Sequence, residues 1–470
     1  MTLSPVTLDV VRSIAERHVD VGAAPGVSLA IVRDGAVVAR VVAGHADLER
    51  SIPTQDEHLF EIGSISKSFT ALAILSLVDE GRLSLDDEVT THLPWFEVRS
   101  AYAPITLRHL LDHSSGLVMG ADALPDEASQ VWSLRSSDTG SAPGTIFHYS
   151  NVGFMTLGQV VGAVAGRPCH DVVRDVVLDP VGMTSSVSTV TDDDRLLMAV
   201  GYQPWYEDRA WRPGDPLAPA TFFEVSAADG NVASTAGDMG RYLAMLLRRG
   251  EIDGRRVVSD ESWVAMTTPS SPGGEPAPVP SRYALGINVE EIGGRTALTH
   301  GGGMVGYSSF LIGELDRRFG VVVLTNAPGD TTAAQWLARA VYDVVRADVE
   351  GAPAQPDARP TYVPDPRPEP VVGSDGSVDA RLASYVGHYR SFSPWFTHLR
   401  VVAREGRLLL VAPNGVEAPG TVDLVELSPG VFREGDDPRL PERLTIGPVV
   451  DGAALWVERH ECRYTRTFRD

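Results

Sequence analysis

A chain of 470 residues exceeds the size at which one hydrophobic core keeps growing, so a large unit and a smaller one are expected. Its formal charge of −22 opposes binding to nucleic acid or to an anionic membrane surface, since both need a positive face to displace counterions. No stretch is apolar enough and long enough to span a bilayer. The first residues also lack the basic start, apolar run and small-residue cleavage site of an export signal, so the expected location is the cytoplasm. The two cysteines, Cys169 and Cys462, lie far apart and read as buried or free thiols, and no metal or cofactor motif is visible.

Taken in chain order, residues 8 to 19 carry the period of a short amphipathic helix, and 27 to 32 with 37 to 43 flank Asp34-Gly35 as a hairpin. Helical patterns follow at 64 to 80, closed by Gly81, and at 106 to 112, 152 to 165 and 238 to 247. Strands return at 283 to 289, 296 to 299, 308 to 312 and 320 to 324, before a helix at 331 to 345. The pattern is an α/β (α+β) unit in which an antiparallel sheet, built from both ends of the segment, encloses a helical middle. Residues 349 to 378 are rich in Pro, Ala, Gly and Asp and read as a linker. From Tyr385 to Phe468 about eight short strand-like runs suggest a small antiparallel barrel. The expected division is 1–348, 349–378 and 379–470. Acidic and basic residues balance from Ala380 onward, which leaves the excess negative charge on the larger unit.

The chemistry centres on Ser64-Ile65-Ser66-Lys67. A serine three residues before a lysine at a helix start shares its face, with Cβ atoms roughly 5–6 Å apart. Phe69, Leu72, Ile74, Leu75, Leu77 and Val78 make that helix apolar nearly all round, so it must be buried. A lysine held there loses water, and both desolvation and the positive helix end favour its neutral form, which can take the serine proton. Such pairs arise easily by accident, yet Lys67 is the sole lysine of the chain, and arginine cannot serve as this base.

Two further elements follow. Tyr149-Ser150-Asn151 sits between a Pro-Gly loop and a helix; Asn151 would also serve as an N-cap and Tyr149 as a core aromatic. His300-Gly301-Gly302-Gly303 follows a strand, where glycines let backbone approach a ligand, although a tight strand-end turn would look similar. In the last strand, Cys462, Tyr464, Arg466 and Phe468 share the apolar face. Arg466 must then pair inside its own unit or reach into a cleft toward a substrate.

In this order the three elements resemble the serine β-lactamase and penicillin-binding-protein superfamily, nearest its class C branch with a Tyr-x-Asn second box. The phrases His113-Ser114-Ser115-Gly116-Leu117, residues 105 to 111, 178 to 183 and 232 to 239 look similar too, over about residues 10 to 345. The resemblance implies a site between sheet and helical lobe, with a C-terminal part like the lipocalin-like domain of some members. It implies Ser64 as nucleophile, Lys67 as base, Tyr149 as proton relay, Asn151 as the holder of the substrate amide and Lys67, and the N–H groups of Ser64 and Gly303 as oxyanion hole. His300 replaces the lysine of the usual Lys-Thr-Gly box, so a fixed cation for a substrate carboxylate is missing. The expected activity is serine acyl hydrolysis or acyl transfer on a small-molecule or peptidyl ester, thioester or amide. Among similar members, the stand-alone thioesterases that release and cyclise nonribosomal peptides fit best, with a peptidyl carrier protein as partner. A D-aminopeptidase, amidase or carboxylesterase is the alternative, and an inactive scaffold a remote one.

Overall fold

The computed structural model describes residues 3–467 except 121–125, 207–210, 273–280, 329–331, 353–373, 396, 413–420 and 460. The first helix, α1 (Pro5–Asp20), starts where Ser4 accepts the Thr7 N–H and Pro5 fills the first turn. It leads into the hairpin β1 (Gly26–Arg33) and β2 (Ala36–Asp47), edged by β3 (Ile52–Pro53). The other strands arrive much later in the chain: β4 (Ser281–Tyr283), β5 (Asn288–Ile292), β6 (Arg295–Met304), β7 (Tyr307–Glu314) and β8 (Phe319–Thr325). They form one antiparallel sheet in the order β4-β5-β6-β7-β8-β1-β2-β3, closed in the middle by pairing of β8 with β1.

The central strands are buried on both faces, and their side chains sort by alternation into two cores. Val27, Leu29 and Ile31 of β1 join Ile312, Val321 and Val323 under α1 and α5 (Thr332–Val349). Ala30 and Val32 join Leu311, Val322 and Leu324 on the other face. That second core runs without a break beneath α4 (Ala236–Leu247) into the helical middle, where α2 (Ser66–Asp79) packs against α3 (Asn151–Ala165).

Two local readings change. The strand expected to end near residue 299 continues as β6 through Gly303, so the glycines are strand and not turn. Ser150, and not Asn151, caps α3 by accepting the Gly153 N–H at 3.0 Å. The 349–378 segment falls largely on residues outside the described ones, and α5 runs to its first residue, Val349.

The C-terminal part is a closed antiparallel barrel of eight strands. These are β9 (Gly387–Arg390), β10 (His398–Arg404), β11 (Arg407–Val411), β12 (Thr421–Ser428), β13 (Val431–Glu434), β14 (Arg443–Ile446), β15 (Trp456–Arg459) and β16 (Cys462–Arg466). Pairing of Tyr389 with Arg466 closes it, around a core that includes Tyr389, Phe432 and Tyr464. Both cysteines are free and buried, Cys169 in the helical core and Cys462 in the barrel.

The glycines of β6 let the sheet touch the turn that carries Ser64. A Cβ on Gly302 would lie 1.8 Å from the Ile62 carbonyl oxygen, and Gly63, at φ +52°, lies against the Gly303 backbone. Gly302→Ala must therefore push β6 off the turn, with a loss of about 1–3 kcal/mol. We expect a lowered melting temperature and a turnover loss larger than that stability loss explains; unchanged turnover at wild-type stability would show that the contact is dispensable.

Candidate functional site

Ser64 sits in a 3-10 turn, Gly63–Ile65, that runs straight into α2. This puts Lys67 in the first turn of the helix, fully buried, with Nζ 2.9 Å from Ser64 Oγ. The amine also donates to the Asp229 carbonyl at 3.0 Å and stands 3.9 Å from the Asp229 carboxylate. The rings of Tyr149 and Phe154 face it at 5.0 and 5.7 Å. Asp229 is a partner that sequence reading missed, because a lone Asp-Gly carries no signal beyond a turn.

Tyr149 precedes α3, and its ring leans on His113 at 4.1 Å between centroids. His113 is fully buried in the left-handed region, at φ +57°. Its Nδ1 accepts the Ser150 N–H at 3.0 Å and its carbonyl accepts the His148 N–H at 2.7 Å, one on each side of Tyr149. An acceptor Nδ1 requires a neutral ring, and burial, reinforced by Lys67, holds the imidazole well below its usual range. Its signal was present in the His113-Ser114-Ser115-Gly116-Leu117 phrase, but nothing in the phrase said where the ring would point.

Asn151, released from capping, lines a cavity that also opens on Ser64, Asp229 and Gly303. Its Oδ1 is buried and has no hydrogen-bond partner among the described residues, and the expected bond between Asn151 and Lys67 is replaced by the one to the Asp229 carbonyl.

His300 departs from expectation. It is 3% exposed and lies off the cavity, donating from Nδ1 to the Gly301 carbonyl at 2.6 Å. Nε2 must then accept from the Tyr283 hydroxyl, 2.9 Å away. Burial pushes the imidazole down to about 4, while burial, with Tyr149 and Asp112 nearby, keeps the Tyr283 phenol protonated well above its ordinary range. The His300 side chain thus makes an internal hydrogen-bond pair with Gly301 and Tyr283, away from the lining of the cavity.

The cavity measures about 1040 Å³, and the barrel builds one of its walls. Residues 391 to 395, between β9 and β10, line it together with Phe223, and Trp395 meets Phe223 edge to face at 6.0 Å. Gln203 donates to the Pro394 carbonyl at 3.2 Å. The arginine at the cavity is Arg463, held to Glu458 at 3.0 Å and stacked on Trp456 at 4.0 Å. Arg466 is off it: the guanidinium lies over the Tyr389 ring and donates to its hydroxyl at 3.4 Å. The strand period sets Arg466 on the buried barrel face with Tyr464, beside its partner Tyr389. Asp126, Glu224 and Asp229 give the cavity an acidic wall, whereas burial pushes the Glu127 carboxyl well above its ordinary range, toward the neutral form.

Residues 11–346 match the family model described as Beta-lactamase, and the chain belongs to that family. A curated relative, uncharacterized protein MT1414 of Mycobacterium tuberculosis (strain CDC 1551 / Oshkosh), is 31% identical over 255 residues, 48% of this chain and 63% of that one. The chain thus spans less than two thirds of that relative. Among solved structures, the octameric penicillin-binding protein homologue from Pyrococcus abyssi matches 98% of this chain and 100% of its own, at TM-score 0.64 and 24% identity. EstCE1, a hydrolase with promiscuous acyltransferase activity, matches 72% and 98%, at TM-score 0.60 and 23% identity. At these identities the likeness is one of fold. Among the described residues, no helix is long and apolar enough to cross a membrane.

A depressed histidine makes a pH prediction with a definite sign. Above about pH 6.5 His300 is neutral in folded and unfolded chains alike; between 6.5 and about 4 the unfolded chain takes a proton that the fold refuses, so stability falls with pH. Going from pH 7 to 5 should remove about 2 kcal/mol more from the wild type than from His300→Gln. His18, also pushed to about 4 by burial, contributes the same slope to both. Parallel denaturation curves for the two proteins would assign His300 an ordinary titration.

Proposed function

We propose that the protein is a serine acyl hydrolase that acylates Ser64 and passes the acyl group to water or to an amine. The observation that carries this reading is the sole lysine, buried, with its amine 2.9 Å from Ser64 Oγ beside a cavity of substrate size. Lys67 accepts the hydroxyl proton as Oγ attacks the substrate carbonyl carbon. The oxyanion is held by the Ser64 and Gly303 N–H groups, a contribution of about 3 kcal/mol per donor. Tyr149 delivers a proton to the leaving group, and the same groups act in reverse when water or amine attacks the acyl-enzyme. Asn151, which lines the cavity, holds the substrate amide.

Esters and amides are the substrates this site favours. With His300 neutral and internal, an acidic cavity wall, and the cavity's Arg463 already paired with Glu458, a carboxylate-bearing β-lactam finds little to hold it. EstCE1, as a hydrolase with acyltransferase activity, agrees with this choice. One observation keeps the peptidyl thioesterase and cyclase reading as second: the barrel enlarges the cavity beyond what a small ester needs.

A fluorophosphonate should label Ser64 and nothing in Ser64→Ala, as read by mass mapping. Lys67→Arg keeps the charge, removes the base and should lower turnover at least ~10²-fold. Tyr149→Phe should lower kcat far more than it raises KM. Label on another serine, or wild-type turnover in Lys67→Arg, overturns the reading. Aryl esters and aminoacyl amides should be turned over faster than peptidyl thioesters; the opposite order promotes the second reading.

A further inference from the structure

Glu442 is the one acidic side chain of the barrel that bonds directly to both segments flanking Tyr149–Asn151, among the hydrogen bonds between described residues. It ends the loop between β13 and β14 and is 6% exposed. Its Oε1 lies 2.7 Å from His148 Nε2 and accepts the Met119 N–H at 3.1 Å. His148 immediately precedes Tyr149. Met119 is joined to the same turn from the other side, since its carbonyl accepts the N–H groups of Asn151 at 2.7 Å and Val152 at 3.1 Å. A single carboxylate oxygen of the barrel thus ties together the two strands of chain that carry the second element of the site.

The seat for this loop is built into the helical part. A Cβ on Gly140 would lie 2.1 Å from the Arg439 carbonyl oxygen, so the loop rests directly on backbone. Arg439 is itself held to Asp437 at 2.6 Å, which stiffens the approach to Glu442. Hydrogen bonds accepted by an ionised carboxylate are stronger than those between neutral groups. His113 grips the turn from beneath through the His148 and Ser150 N–H groups, and Glu442 grips it from the barrel side.

We infer that Glu442 is a positioning residue for Tyr149 and Asn151, so that docking of the barrel sets the rate of the chemistry as well as the shape of the cavity. The inference rests on Tyr149 acting as the proton relay. Small shifts of such a group are costly to rate: a misplacement of about 1 Å reaches 10²-fold.

The test uses the full chain and p-nitrophenyl acetate, a substrate too small to need the barrel wall. Glu442→Leu should lower kcat roughly 10- to 100-fold with KM within about twofold. Fluorophosphonate should still label Ser64 in that variant stoichiometrically, showing that the fold and the nucleophile survive. His148→Phe should lose a similar factor, and the double variant should be no slower than the slower single one. Glu442→Gln keeps an oxygen for the Met119 N–H and should recover most of the rate. Gln203→Leu removes a different bond to the barrel and should keep wild-type kcat. Wild-type kcat in Glu442→Leu, additive losses in the double variant, or an equal loss in Gln203→Leu overturns the inference. Label mapping away from Ser64 in the wild type instead sinks the acyl-enzyme reading, which the comparison of kcat among these variants does not depend on.

Discussion

An amine buried without water is the constraint around which this molecule is arranged. Lys67 is wholly inaccessible on a helix that is buried nearly all round, and burial of that kind is tolerable only where the amine has polar partners. Ser64 Oγ and the Asp229 carbonyl lie within hydrogen-bond distance of it and the Asp229 carboxylate stands 3.9 Å away, with two aromatic rings closing the space. The partners come from opposite ends of the helical middle, so the site exists only when that whole region is folded.

The second constraint is closeness of backbone. β6 lies backbone to backbone against the Ile62–Gly63–Ser64 segment, and Ser309 of the neighbouring β7 donates from Oγ to the Ile62 carbonyl at 2.8 Å. Glycine at 302 and at 63 is what that distance requires. This accounts for the glycine at 302: beyond Thr299 this strand is unpaired on the β5 side among the described residues, and its backbone at Gly303 lines the cavity.

The barrel adds a third layer of control. It contributes a wall through residues 391 to 395, an arginine through Arg463 and a carboxylate through Glu442. None of these lies in its core, which is filled by Tyr389, Leu399, Phe432 and Tyr464. The barrel is thus a rigid holder whose loops and strand ends face the neighbouring helices. That arrangement separates its stability from its effect on the cavity.

Local pattern was enough to mark the apolar strands, the amphipathic and all-apolar helices, the barrel composition and the Ser64–Lys67 pair. Each depends on residues within a few positions of one another, where helix and strand periods dictate which side chains share a face. The rest was decided by contacts between distant segments. Which residue caps α3 depended on the cavity that claims Asn151, and whether His300 meets substrate depended on Tyr283, seventeen residues earlier. Arg466 was correctly placed on the apolar face of its strand, yet only closure of the barrel against Tyr389 determined that this face looks inward while Arg463 looks to the cavity. Asp229 and Glu442 carry no local signature at all, and the phrase that contains His113 said nothing of where its ring points, because a carboxylate or an imidazole acquires its role from the groups that desolvate it, and those arrive through tertiary packing.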